Sequence, residues 1–473
     1  MVDLAQGQRA VAGDASARVS VALFTRDLRV HDNPTLASAV AGGDQVVPLF
    51  VLDDTILAGP FNQPNRAHFL AESLSDLHES LRRRGGGLVV RRGDVDEQVA
   101  LVAAAAGADV VHVAGDVSRY SQGRQDRLAR RLSAGGVSLQ VHNETLFVVP
   151  PRAITPHDRD HMAVFTPYFR RWSDHPRRRA AAVPTAVTLP AGIDPGAVPT
   201  GSEIHPGQTS PDRVPGGETA GRRRLTSWLR GGITSYDVQH DAMGADATSR
   251  LSAYLHFGCV SPLEVVERAL RAPTAAAQDF VRQVAWRDFH AQVLAARPDA
   301  VRADYRPRGD QWHEDAEELA AWKQGRTGYP IVDAGMRQLV REGWMHNRAR
   351  LIVAHFLCKT LYLDWRLGAQ HFANLLVDGD TANNTMNWQW VAGTGTDARF
   401  NRTYNVVLQA RRHDPAGGYV RRYVPELAGL DDAYVHEPWL LPEHLRNELD
   451  YPDPIVDQNQ ARDRLRAGRH LTR

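Results

Sequence analysis

Residues 378–390 read DGDTANNTMNWQW and set Asp378, Asp380, Asn383, Asn384 and Asn387 beside Trp388 and Trp390. Asn and Asp compete with a helix for its own backbone hydrogen bonds, so such a run has a local cost. Tryptophan is among the residues most buried on average. Acid, amide and indole packed together make this stretch the first candidate for chemistry.

A second candidate is TSRLS, residues Thr248, Ser249, Arg250, Leu251 and Ser252, at the start of an apolar helical run. Free N–H groups at a helix N-terminus, with hydroxyls and a guanidinium alongside, can bind a diphosphate. Tyr236, upstream, is in a position to cover such a ligand. A plain N-cap is the simpler alternative. In GWMHNRARL (343–351), Asn347, Arg350 and Leu351 are spaced to share one helix face. Burying Arg350 unpaired is costly, so Asp378 or Asp380 is its expected partner, in a ligand site or in a structural ion pair.

His346, His355 and His371 lack metal-binding spacing, and neither GxSxG nor CxxC occurs, so no metal centre is expected. The tryptophans can be core, or can stack on flat ligands, extruded bases or one another.

These residues need a scaffold. Short apolar runs at 19–24, 46–52, 87–92, 109–115 and 137–142 alternate with amphipathic segments, which predicts a doubly wound α/β domain over 19–149 with a parallel sheet. No GxGxxG follows a strand, so a Rossmann dinucleotide site is not expected there. Twelve of the 27 prolines fall in 150–220. A structureless stretch of that length is uncommon inside a domain, so 150–221 reads as a linker draped over the surface. From 222 to 473 the pattern is helical, including one long helical pattern over 334–361, and this part holds nine of the ten tryptophans. Residues 1–18 read as a flexible tail.

The chain of 473 residues is 43% hydrophobic and 23% charged, with a net charge of +1. That is the composition of a soluble globular protein, and any nucleic-acid contact must be a local patch. Cys259 and Cys358 lie in apolar helical patterns, and no apolar run of membrane-spanning length occurs. A cytoplasmic location, with no membrane association, is expected.

Taken in order, FTRDLRVHDNPTL (24–36), TSRLS, WRDF, GRTGYPIVDAGMRQL, GWMHNRAR and DGDTANNTMNWQW resemble the DNA photolyase/cryptochrome family, from about residue 19 to about 455. The closest likeness within it is to the class I cyclobutane pyrimidine dimer photolyases. The resemblance implies a Rossmann-like α/β antenna domain, a long linker and an all-helical domain binding FAD. It places Tyr236, residues 248–252, Arg287, Arg350, Asp378, Gly379, Asp380 and Asn384 around FAD, with Asn384 facing the flavin N5. It assigns Trp388, Trp365 and Trp312 to an electron-transfer chain, and Gln283, Trp286, Asn347, Arg348, Leu351 and Trp390 to the DNA lesion. Arg402, Arg411 and Arg412 join Arg348 as candidates for a phosphate-binding rim. The implied reaction is light-driven splitting of pyrimidine dimers in UV-damaged DNA by a monomer with no protein partner. An antenna chromophore, a folate or an 8-hydroxy-5-deazaflavin among the options, is compatible with residues near 115–124.

Two positions depart from the common dimer-photolyase pattern, Gln283 for Glu and Leu351 for Met. Gln283 can hydrogen-bond a pyrimidine edge but offers no charge. The (6-4) photolyases share that Gln, yet are expected to carry His where this chain has Asn347 and Leu351, which disfavours (6-4) repair. A cryptochrome-like photoreceptor is the main rival. Asn384 suits a photolyase better than a plant cryptochrome, and little sequence follows residue 457. A flavin electron-transfer protein without a DNA role is the third reading.

Overall fold

The computed structural model describes residues 17–396 and 402–469, so most of the expected tail lies outside the described residues. Strands β1 (Val19–Phe24), β2 (Gln45–Asp53), β3 (Val89–Gly93), β4 (Val110–Ala114) and β5 (Ser138–His142) form one parallel sheet, ordered β3-β2-β1-β4-β5. Helices Pro34–Gly42, Pro64–Arg82, Val95–Ala106 and Arg119–Ala134 make the crossovers. A parallel sheet is covered on both faces, which is why β1 is buried along its whole length and reads as an unbroken apolar run.

The proline-rich segment divides into two kinds of structure. Its extended part lies along the α/β unit, where the Thr188 and Pro195 carbonyls accept from the Val46 and Val90 amides. The helix Phe165–Asp174, by contrast, buries Phe165, Tyr168 and Trp172. A surface linker does not describe this helix: its apolar residues, spaced three and four apart, face the core.

The remainder is helical. The long helical pattern expected over 334–361 is broken: Pro330–Glu342 ends at Gly343 in the left-handed region (φ +59°). Asn347–His355 then follows and passes into a π-helical turn, Phe356–Leu361. One core joins Phe24 and Leu28 of the α/β unit to Trp228, Val284 and Phe289 of the helical region. A second surrounds Trp322, Trp365 and Trp388. Among the described residues, no helix is long and apolar enough to cross a membrane.

Asp288, on the helix Ala275–Ala296, fastens these parts. Its buried Oδ2 accepts from the Val148 amide, the Val149 amide and Trp172 Nε1, each at 3.0 Å. Arg287 is the nearest countercharge, at 3.5 Å. Replacing Asp288 with Ala strands three buried donors, and each unmade bond costs about 1–3 kcal/mol. We expect Asp288→Ala to lower the stability by at least about 3 kcal/mol, read as a shifted midpoint in urea denaturation.

Candidate functional site

The helix Thr381–Ala392 is fixed at its start by acids. Asp380 caps it, accepting from the Asn383 amide at 2.9 Å. The acid's other oxygen meets Arg26 Nη2, from the α/β unit, at 2.6 Å. Burial alone would raise the Asp380 carboxyl; Arg26 instead holds it well below the usual carboxylate range, so it stays ionised. Asp378 accepts from Arg350 Nη2 at 2.8 Å, while Arg350 Nε donates to the Met345 carbonyl. Of the two acids offered as the Arg350 partner, the structure selects Asp378. Gly379 lies between them, with Arg66 of the α/β unit packed close by: a Cβ at 379 would fall 2.9 Å from Arg66 Nη1. Asn384 Nδ2 donates to the Ala369 carbonyl at 2.9 Å, which leaves its side-chain oxygen as the acceptor it can offer.

The TSRLS segment precedes a single turn of helix, Ser252–His256, shorter than the run expected from sequence. Arg250 sits in the left-handed region (φ +50°), so the chain turns sharply there. Its guanidinium is committed to Asp246 and Glu342, at 2.7 and 2.6 Å, and lies 4.2 Å from the Trp344 ring centre. It therefore braces the loop. Arg224 Nε donates to the Ser249 carbonyl, and Ser252 Oγ accepts from Trp344 Nε1. Leu251 is buried in the first core. Thr248 Oγ1 is buried with no hydrogen-bond partner among the described residues. A buried hydroxyl left open is costly unless a ligand completes it, so this loop fits a polar group such as a diphosphate. Tyr236 is buried, edge-on to Trp228 and Phe280. Arg287 is mostly buried and donates to the Leu146 carbonyl.

Trp388 and Trp365 are almost fully buried, at 2% and 1% exposure, in the second core, and half-buried Trp312 packs against that core. Trp388 meets the Phe372 ring edge-on at 4.9 Å. Its seat depends on Gly368: a Cβ there would lie 2.2 Å from Trp388 Cη2. Trp365 Nε1 donates to Asp304 at 2.9 Å. Arg66 donates to the Ala373 and Leu376 carbonyls and so caps the helix Trp365–Leu375 from across the domain boundary. Burial lowers the Arg66 guanidinium to about 10, still charged at neutral pH.

Trp286 is half-buried and lies parallel to Phe165, with ring centres 3.6 Å apart. Gln283, one turn earlier on the same helix, is exposed. His290, one turn later, bonds Asn383 at 3.1 Å and ties this face to the helix carrying half-buried Trp390. Asn347 is exposed and Leu351 half-buried at the start of their helix, which packs against Thr381–Ala392. Of the proposed rim, Arg348 is held by Asp241 and Arg411 by Glu437. Arg402 and Arg412 are exposed and, among the described residues, form no ion pair. Among the described residues, one group of potential metal ligands comes together, His313, Asp315 and Glu318, but Glu318 is already paired with Arg464.

Sequence reasoning missed Arg26, Arg66, Phe165 and Gly368. Arg26 stood inside the FTRDLR motif without a role, and the other three act through packing across distant segments.

Residues 20–188 match the family model for DNA photolyase, and 280–470 that for the FAD binding domain of DNA photolyase. A deoxyribodipyrimidine photo-lyase from Streptomyces griseus is 52% identical over 96% of this chain and 99% of its own length. A cryptochrome DASH from Gloeobacter violaceus is 35% identical over 94% of each chain. The crystal structure of a bacterial class III photolyase from Agrobacterium tumefaciens superposes with a TM-score of 0.89 at 33% identity, covering 97% of this chain and 98% of that one. FAD is thus the cofactor of the helical region, and the chain belongs to the DNA photolyase/cryptochrome family.

Proposed function

We propose that the protein reverses cyclobutane pyrimidine dimers in DNA under light, acting as a cytoplasmic monomer. The observation that carries this reading is the state of Trp286. It sits mid-helix, one face covered by Phe165 at 3.6 Å, and remains half open beside exposed Gln283. An indole stiffened on one side and open elsewhere suits stacking against an extruded base.

Reduced FAD, when bound, would supply light-driven one-electron chemistry at this site. The chain does the rest. Trp286 and Trp390 receive the flipped pyrimidines, and Gln283 hydrogen-bonds their edges. Asp378–Arg350, Thr248 and Asn384 hold and orient the cofactor. Arg402 and Arg412 offer charge to DNA phosphates. The buried indoles Trp388 and Trp365, with half-buried Trp312 packed against their core, would carry electrons from the surface inward to the cofactor. Asn347 and Leu351 supply no acidic proton, which argues against (6-4) repair.

Purified, reduced protein is expected to reverse a single thymine dimer in a defined oligonucleotide under blue or near-ultraviolet light and not in the dark. No reversal by FAD-loaded, photoreducible protein would overturn this reading in favour of a photoreceptor. Trp388→Phe should abolish photoreduction while chemically reduced protein still repairs; loss of both would remove Trp388 from the proposed chain. Trp286→Ala should weaken binding to damaged DNA by about 1–3 kcal/mol, roughly tenfold to a hundredfold, with FAD retained. Equal loss of FAD would make the indole a core residue.

A further inference from the structure

The helix Glu218–Gly231 carries three consecutive arginines that are used differently. Arg222 pairs with Glu264, which also meets Arg268. Arg223 and Arg224 form no ion pair among the described residues. Ala220, Arg223, Arg224, Ser227 and Trp228 are three and four apart, so they make one stripe along the helix. That stripe is one wall of a cleft of about 430 Å³, and Pro215 and Tyr254 stand on its other side. The volume suits a small organic ligand. None of the residues set around FAD, the lesion or the indole series lines this cleft.

The charge of the cleft is unbalanced. Arg224 is half-buried, and burial together with the neighbouring Arg250 cation pulls its pKa down. Its Nε donates to the Ser249 carbonyl at 2.8 Å, which fixes the guanidinium, while its terminal nitrogens have no partner among the described residues. Two carboxylates act on these walls, Asp246 on Arg224 and Glu72 on Tyr254. Both are already claimed: Asp246 by Arg250 at 2.7 Å, and Glu72 by Arg213 at 2.6 and 3.0 Å. Two cations are thus left without a fixed countercharge, one of them partly withdrawn from water, where an anion gains most.

Apart from Ser227, the rest of the wall is apolar and rigid. Trp228 and Tyr254 are both buried. The Tyr254 O–H donates to the Pro215 carbonyl at 2.8 Å, and its ring lies so close to the helix that a Cβ at 221 would fall 2.8 Å from Cδ1. We propose that this cleft binds a small phosphomonoester with a flat body, the chemical class of the nucleoside monophosphates. Arg223 and Arg224 take the phosphate, since guanidinium forks match its oxygens, and the exposed Ser227 hydroxyl offers a further donor. The flat body lies along Pro215, Ala220 and the edges of the two aromatic rings. A nucleic-acid backbone would use the cations but not this apolar lining, so the small ligand is the better fit.

The test is calorimetric titration of the full, FAD-loaded chain with AMP, inorganic phosphate and adenosine. AMP should bind, with phosphate and adenosine each weaker by about tenfold or more, because each keeps only part of the contacts. Arg223→Gln alters an exposed position outside the FAD and lesion residues. It should weaken AMP by about tenfold or more, with FAD content and light-driven dimer reversal unchanged from the unmodified protein. Arg224→Gln should weaken AMP similarly, with FAD content as the check that the loop holding Ser249 is intact. No heat from AMP at millimolar concentration, or equal AMP affinity in the unmodified protein and Arg223→Gln, would overturn the site. Displacement of AMP by undamaged duplex DNA would overturn the small-ligand assignment and give these cations to nucleic acid.

Discussion

One buried carboxylate sets the geometry on which the rest depends. Two of the three donors to Asp288 are the Val148 and Val149 amides of the segment after the sheet, and the third is Trp172 of the helix Phe165–Asp174. None of them can leave without stranding a buried polar group. Trp172 is therefore fixed, and with it the helix that lays Phe165 on Trp286. The openness of Trp286, the feature that best supports a DNA lesion site, thus depends on bonds made by Asp288 two residues further along the same helix.

The α/β unit is also part of the site's wall. Arg26 answers Asp380, and Arg66 and Asn65 grip the end of the helix that begins at Trp365. These contacts hold Asp380 and the helix that begins at Trp365 in one frame. Gly368 performs a related service by absence of a side chain, since its missing Cβ is the space Trp388 occupies. Rigid placement of donors and acceptors is what a charge-transfer site needs, because little reorganisation is then required when charge moves.

Much of this was legible in the sequence. Each strand lies within two residues of its apolar run, because buried parallel strands carry continuous apolar stretches. The Arg350–Asp378 pair followed from the cost of an unpaired buried guanidinium. What could not be read depended on contacts between distant segments. The helix Phe165–Asp174 was hidden by the prolines around it, and its partner Asp288 lies more than a hundred residues away. Arg250 looked like a phosphate ligand, yet two carboxylates from separate segments claim it. Arg348 looked like a rim charge, and Asp241 neutralises it. Local spacing gives a residue's face and its propensity, but not which distant charge it will meet.

The grip of Arg66 on the Ala373 and Leu376 carbonyls carries a consequence for how such chains can be recombined. A helix end capped by another domain is a two-gene-segment feature, because cap and capped end are encoded about three hundred residues apart. A hybrid that takes its first half from a relative inherits a foreign cap, and one that omits that half leaves those carbonyls bare. Shuffling among relatives should respect that pairing, along with Arg26 and Asp380, as one inherited unit.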